Sequence, residues 1–173
     1  MAAVCLTACS DNGLVNELEK DNRRYTTNSG MYRATQDYEE PLERYFKGLE
    51  NDDGQLFLQA FDIRSSSPLY NKPSAIINYY NTYHSHLQNK YGYGFSIDYT
   101  ITDFYDMTED VKNGRVVRSK NYTEIEEAYE LELSINITGD NKDRNIKTSS
   151  VYVGKYQDKW VLFNFIFNDT SEL

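Results

Sequence analysis

The chain has 173 residues and a formal net charge of −9 at pH 7. That is length enough for one domain with a real core, and an acidity that repels phosphate backbones, so nucleic acid is excluded as an expected partner. Its only cysteines, Cys5 and Cys9, stand at the N-terminal extreme, so the remainder folds without a disulfide. No stretch approaches the ~20 apolar residues needed to span a bilayer.

Taken in chain order, the first signal is Leu6-Thr7-Ala8-Cys9, reached through an apolar run from Ala2 and followed at once by Ser10-Asp11-Asn12. This pattern resembles the lipobox of bacterial lipoproteins. The resemblance implies cleavage before Cys9, a lipid on its thiol, and a place on the extracytoplasmic side of the cell membrane, anchored through that lipid. The apolar run is short and no basic residue precedes Cys9, so residues 1–9 read as the tail end of a signal peptide whose start lies upstream of Met1. Residues 10–36 are polar and break any regular period, with Leu14, Val15 and Leu18 as the only aliphatic anchors before Met31. They read as a flexible tether.

Residues 37–173 read as a single α+β domain. Tyr38, Leu42, Tyr45, Phe46 and Leu49 fall at helical spacing, with Asp37 as the expected N-cap, Pro41 in the first turn and a stop at Asn51-Asp52-Asp53-Gly54. A short second helix carries Leu56, Phe57, Leu58, Ala60 and Phe61, and Ser65-Ser66-Ser67-Pro68 closes it. Pro73 and Ser74 open a third helix, with Ile76, Ile77, Tyr80, His84, Leu87 and Tyr91 as its apolar stripe and Gly92 as its stop. The period then changes to two. Phe95, Ile97, Tyr99 and Ile101 predict a strand, the charged stretch from Asp106 to Asn121 a long loop or peripheral hairpin, and Leu131, Leu133, Ile135 and Ile137 a second strand. Turns at Gly139-Asp140-Asn141-Lys142 and Tyr156-Gln157-Asp158-Lys159 lead to Val151 and Val153, then to Val161, Phe163, Phe165 and Phe167. Pairing odd positions with odd across both turns puts Leu131, Leu133, Ile135, Val151, Val153, Phe163 and Phe165 on one face.

In element order the domain resembles the nuclear transport factor two-like superfamily, in which helices pack on a curved antiparallel sheet to form a cone. The segments that carry the likeness are Tyr45-Phe46-Lys47-Gly48-Leu49-Glu50-Asn51-Asp52-Asp53 with Phe57-Leu58, and the closing run from Val151 to Leu162 through Lys155-Tyr156-Gln157-Asp158-Lys159-Trp160. The resemblance implies architecture and leaves function open, because this fold hosts enzymes, transport factors and binding modules.

Two functional readings follow. In the first, a non-catalytic lipoprotein domain binds a small apolar ligand or an envelope protein, or forms a homodimer. Tyr129, Tyr152, Trp160, Leu162 and Ile166, opposite the inferred core face, are then the candidate interface; sixteen tyrosines suit such a surface. In the second, an enzyme of ketosteroid isomerase or polyketide cyclase type acts on a small carbonyl compound in the cone, with Tyr80, His84, Tyr99 and Asp103 as the candidate pocket. No catalytic residue is assigned by motif, and no cofactor or metal site is expected. His84 and His86 are the only histidines, and at i and i+2 on a helix they project to different faces.

Overall fold

A computed structural model of the chain describes residues 36–115 and 122–173. The candidate lipobox with Cys9 and the expected tether, up to residue 35, lie outside the described residues, as do residues 116–121 of the segment expected to be a loop or hairpin. Among the described residues no helix is long and apolar enough to cross a membrane.

The architecture is α+β. A 3₁₀ turn, Asp37–Glu39, runs into helix α1 (Glu40–Glu50), so Asp37 starts the turn rather than capping the α-helix, while Pro41 lies in the first turn, where its missing N–H costs nothing. Leu42, Tyr45, Phe46 and Leu49 share one stripe of α1 and are buried. Helix α2 (Gly54–Leu58) is set by Asp53, whose carboxylate accepts the Gln55 and Leu56 N–H groups at 3.0 and 2.9 Å. Gly48 lets α1 and α2 touch: a Cβ there would lie 2.7 Å from the Phe57 backbone nitrogen. Helix α3 (Pro73–Tyr91) buries Ile76, Tyr80, Tyr83, His84, Leu87 and Tyr91 and stops at Gly92, whose φ of 102° suits glycine.

Four strands follow, β1 (Ser96–Asp106), β2 (Glu127–Thr138), β3 (Arg144–Tyr156) and β4 (Lys159–Leu162), in an antiparallel sheet of that order. The segment after β1 contains a short helix, α4 (Thr108–Lys112), instead of a loop or hairpin alone. α1 packs on β1 and β4, and α2 and α3 pack on α1. Phe61 adds a parallel bridge to Leu162, and Asp62 one to Tyr70. The ladder register slips at Thr102 of β1 and, opposite Glu132, in β3. Such bulges bend a sheet and re-aim the residues beyond them.

Both hairpins depart from the expected odd-with-odd register: up to the β3 bulge Ile135 pairs with Ile146 and Ile137 with Arg144, and the last hairpin departs throughout. Gln157 and Asp158 both have positive φ, 51° and 59°, and make a two-residue turn of the primed kind, which matches the twist of the flanking strands. Val153 therefore pairs with Leu162 and Lys155 with Trp160, odd with even. Trp160 and Leu162 turn inward, and Phe163 turns to the other side.

This corrects the candidate interface. Trp160, Leu162 and Ile166 are 6%, 0% and 2% exposed and belong to the main core between helices and sheet. Tyr129 is half-buried against the same core, its ring stacked on Trp160 at 5.3 Å and edge-on to Tyr38 at 5.3 Å. Tyr152, also half-buried, reaches Glu130 across the strands at 3.2 Å. The five residues do not form an open patch. The opposite sheet face carries a smaller cluster in which Val111, Tyr122 and Ile125 cover Ala128, Tyr156 and Val161.

Candidate functional site

The four residues expected to line a pocket go to three places. Tyr80 and His84 come together, stacked at 5.5 Å, and both meet Asp52: the Tyr80 hydroxyl donates to its Oδ1 at 2.7 Å and His84 Nε2 lies 3.1 Å from the same atom. His84 Nδ1 contacts the Leu49 carbonyl at 2.8 Å, one of the four carbonyls left over at the end of α1. The ring thus ties α3 to the end of α1. Burial first, and then the Asp52 carboxylate, push the Tyr80 phenol well above its ordinary range and keep it neutral.

Tyr99 lies elsewhere, its hydroxyl donating to Glu43 at 2.9 Å and its ring 5.1 Å from Phe46. Asp103 accepts from Tyr105 at 2.9 Å and from the Phe104 N–H beside the β1 bulge. None of the four lines the groove or the smaller cavity beside it. Among the described residues no group of His, Cys, Asp and Glu side chains is arranged to hold a metal ion.

The concave surface lies on the other side of α3. A groove of about 560 Å³ runs between α3 and the segment that follows β4, within the ~300–1,000 Å³ of small-molecule sites. One wall is Asn71, Asn78 and Thr82; the floor is aromatic, with Tyr79, Tyr83 and Phe165; Asn164, Phe167 and Asn168 complete it. Tyr79 is sandwiched, its ring 4.0 Å from Tyr83 and 3.9 Å from Phe165, both nearly parallel. A second cavity of about 290 Å³ adjoins it through Asn71, Phe163 and Asn164, with Leu69, Tyr70, Tyr122 and Tyr152 around it.

The groove exists because the chain leaves the sheet after Leu162. Asn164 Oδ1 accepts the Tyr152 N–H at 3.2 Å, so a side chain takes the place of the next ladder carbonyl and the strand ends. The alternation expected through Phe167 is lost: Ile166 and Phe167 are both buried. Phe163 lies over Gly154, where a Cβ would be 2.2 Å from its ring. Tyr79 secures the departing segment: its hydroxyl donates to the Phe167 carbonyl at 2.7 Å and accepts the Phe167 N–H at 3.2 Å, while Tyr45 reaches it at 2.6 Å. Burial pushes both phenols far above their ordinary range, so neither ionises.

Sequence reasoning missed Asn71, Asn78, Tyr79 and Thr82. The signal was present in Asn78-Tyr79-Tyr80-Asn81-Thr82-Tyr83, where aromatic rings adjoin neutral polar residues outside the apolar stripe, but a helix alone does not reveal what faces it. No family model, curated protein or solved structure gives a match to the chain.

Proposed function

We propose that this protein is a lipid-anchored, extracytoplasmic and non-catalytic binding module, which takes its ligand in the groove between α3 and the segment after β4. The observation that carries the reading is the lining: aromatic rings and neutral amide or hydroxyl groups, with no Asp, Glu, Lys, Arg or His among the residues around either cavity. Acid–base chemistry needs a titratable group held against the reacting atom, and the Tyr79 phenol at the floor is kept neutral by burial. A large aromatic area with a few polar groups is instead the composition of a site that binds and orients.

Anchoring rests on Leu6-Thr7-Ala8-Cys9 and the polar switch after it. The nuclear transport factor two-like architecture belongs to the same proposal, supported by helices that precede an antiparallel sheet and by the β-bridges at Phe61 and Asp62 between the second and third helices. Two measurements test the reading. Expressed from its full gene in a bacterial host, the protein fractionates with membranes and incorporates labelled fatty acid, and Cys9→Ser releases it lipid-free; equal lipid-free protein from both forms refutes the anchor. Protein recovered from those membranes carries a non-covalent small-molecule adduct in native mass spectrometry that Thr82→Trp, which fills the groove, removes. An adduct equally retained by Thr82→Trp refutes the groove.

A further inference from the structure

We infer that the ligand of this groove is a neutral saccharide. The inference rests on the binding-module reading above and names the chemical class that the lining selects. About a quarter of the chain is charged, yet both cavities are lined without one formal charge. A charged ligand would be desolvated there with no counter-charge, an outcome that costs several kcal/mol per ion. The net charge of −9 adds long-range repulsion against anions.

A purely apolar ligand fits no better. Asn78 and Thr82 are exposed on the groove wall; the Thr82 hydroxyl donates to the Asn78 carbonyl at 2.9 Å, and the Asn78 side-chain amide makes no hydrogen bond among the described residues. Asn71 uses an amide N–H on the Leu69 carbonyl at 3.1 Å, and its amide oxygen remains as an acceptor. Covering these groups with hydrocarbon strips their water and returns nothing. The occupant therefore has to supply neutral donors and acceptors along one side.

On the other side it meets rings. Tyr70 is 40% exposed at the edge of the smaller cavity, with no ring stacked on it among the described residues. Phe163 and Phe165 are half-buried along the floor. A sugar ring matches both requirements at once, having an apolar C–H face to lay on an aromatic ring and a rim of hydroxyls that both donate and accept. The amide side chains suit that rim: Asn78 offers two donors and an acceptor without charge, and Asn71 keeps its acceptor oxygen. The two cavities share Asn71, Phe163 and Asn164, so they suit a chain of several sugar units better than a single one.

The test titrates the full-length ¹⁵N-labelled protein with cello-, malto-, xylo-, manno- and chito-tetraose, and separately with laurate and with a neutral tetrapeptide, while following amide resonances. At least one tetraose moves the side-chain amides of Asn71 and Asn78 and the backbone amides of residues 163–165. Asn78→Ala and Tyr70→Ala, both at exposed positions, each weaken that saccharide by about fivefold or more, the loss of one hydrogen bond or one ring contact, with thermal midpoints unchanged. Movement of these amides by laurate or the tetrapeptide and by no tetraose overturns the saccharide and leaves the binding groove standing. No response to any of the three classes overturns both, and a saccharide response that survives in the two variants places the sugar elsewhere and refutes the inference.

Discussion

Replacing Trp160 with alanine tests the register of the last hairpin directly. An odd-with-odd pairing would put Trp160 on the outer face, where substitution changes stability by less than about 0.5 kcal/mol. The pairing of Lys155 with Trp160 turns it inward, 6% exposed, against Tyr129 at 5.3 Å and Tyr38 at 6.1 Å. A buried aromatic side chain of ~200 Å² at ~25 cal/mol per Å² is worth about 5 kcal/mol. Measured truncations of Phe or Trp to Ala in cores cost about 3–5 kcal/mol. With a urea slope of about 2 kcal/mol per molar, the midpoint falls by roughly 2 M. Because Trp160 is the only tryptophan, its fluorescence vanishes in the variant, and far-ultraviolet circular dichroism has to follow both transitions. Adding Tyr129→Ala isolates the stacked pair, with an expected coupling of about 0.5–1.5 kcal/mol. A midpoint within experimental error of the parent protein would refute the inward assignment.

Gly48→Ala places a methyl 2.7 Å from the Phe57 backbone; forcing α1 and α2 apart costs about 1–3 kcal/mol, whereas the helix propensity of alanine would by itself have stabilised the protein, so the sign of the thermal shift decides. Tyr79→Phe removes the acceptor for Tyr45 and for the Phe167 N–H and the donor to the Phe167 carbonyl, and a loss of about 1–3 kcal/mol with faster amide exchange at Phe167 is the expected result. Gln157-Asp158→Asn-Gly relieves two positive φ values and raises stability by several tenths of a kcal/mol to about 1 kcal/mol, read as a higher denaturation midpoint. Burial raises the Asp62 carboxyl, but hydrogen bonds from the Arg64 side chain at 2.7 and 2.9 Å, together with Ser67 and the Arg64 backbone, outweigh it and hold the group below the ordinary carboxylate range. Its stabilising contribution is therefore full above the unfolded value near 4 and is lost as pH falls through the lower folded value. Asp62→Asn should be less stable at neutral pH and should lose less on acidification, and parallel stability profiles below pH ~4 would contradict the pairing.

Local pattern alone determined the helices, the first two strands and the inward positions along them. Leu42, Phe46, Leu87, Leu131 and Ile135 are buried where their periods put them, because a helix or a strand repeats its faces at a fixed interval whatever lies around it. Leu6-Thr7-Ala8-Cys9 likewise states its expectation without any fold. Tertiary structure decided the rest. The faces of Trp160 and Phe163 depended on whether the turn at Gln157-Asp158 closed with two residues, and in a structure with a side-chain period of two, a single residue reverses every face beyond it. The departure of residues 163–168 from the sheet depended on an Asn164 side chain reaching Tyr152. The groove depended on both, since Asn78 and Thr82 become one wall only when the chain after β4 supplies the other. A cavity is a property of two surfaces at their meeting, and the residues of each wall are written in parts of the sequence about ninety positions apart that nothing local connects.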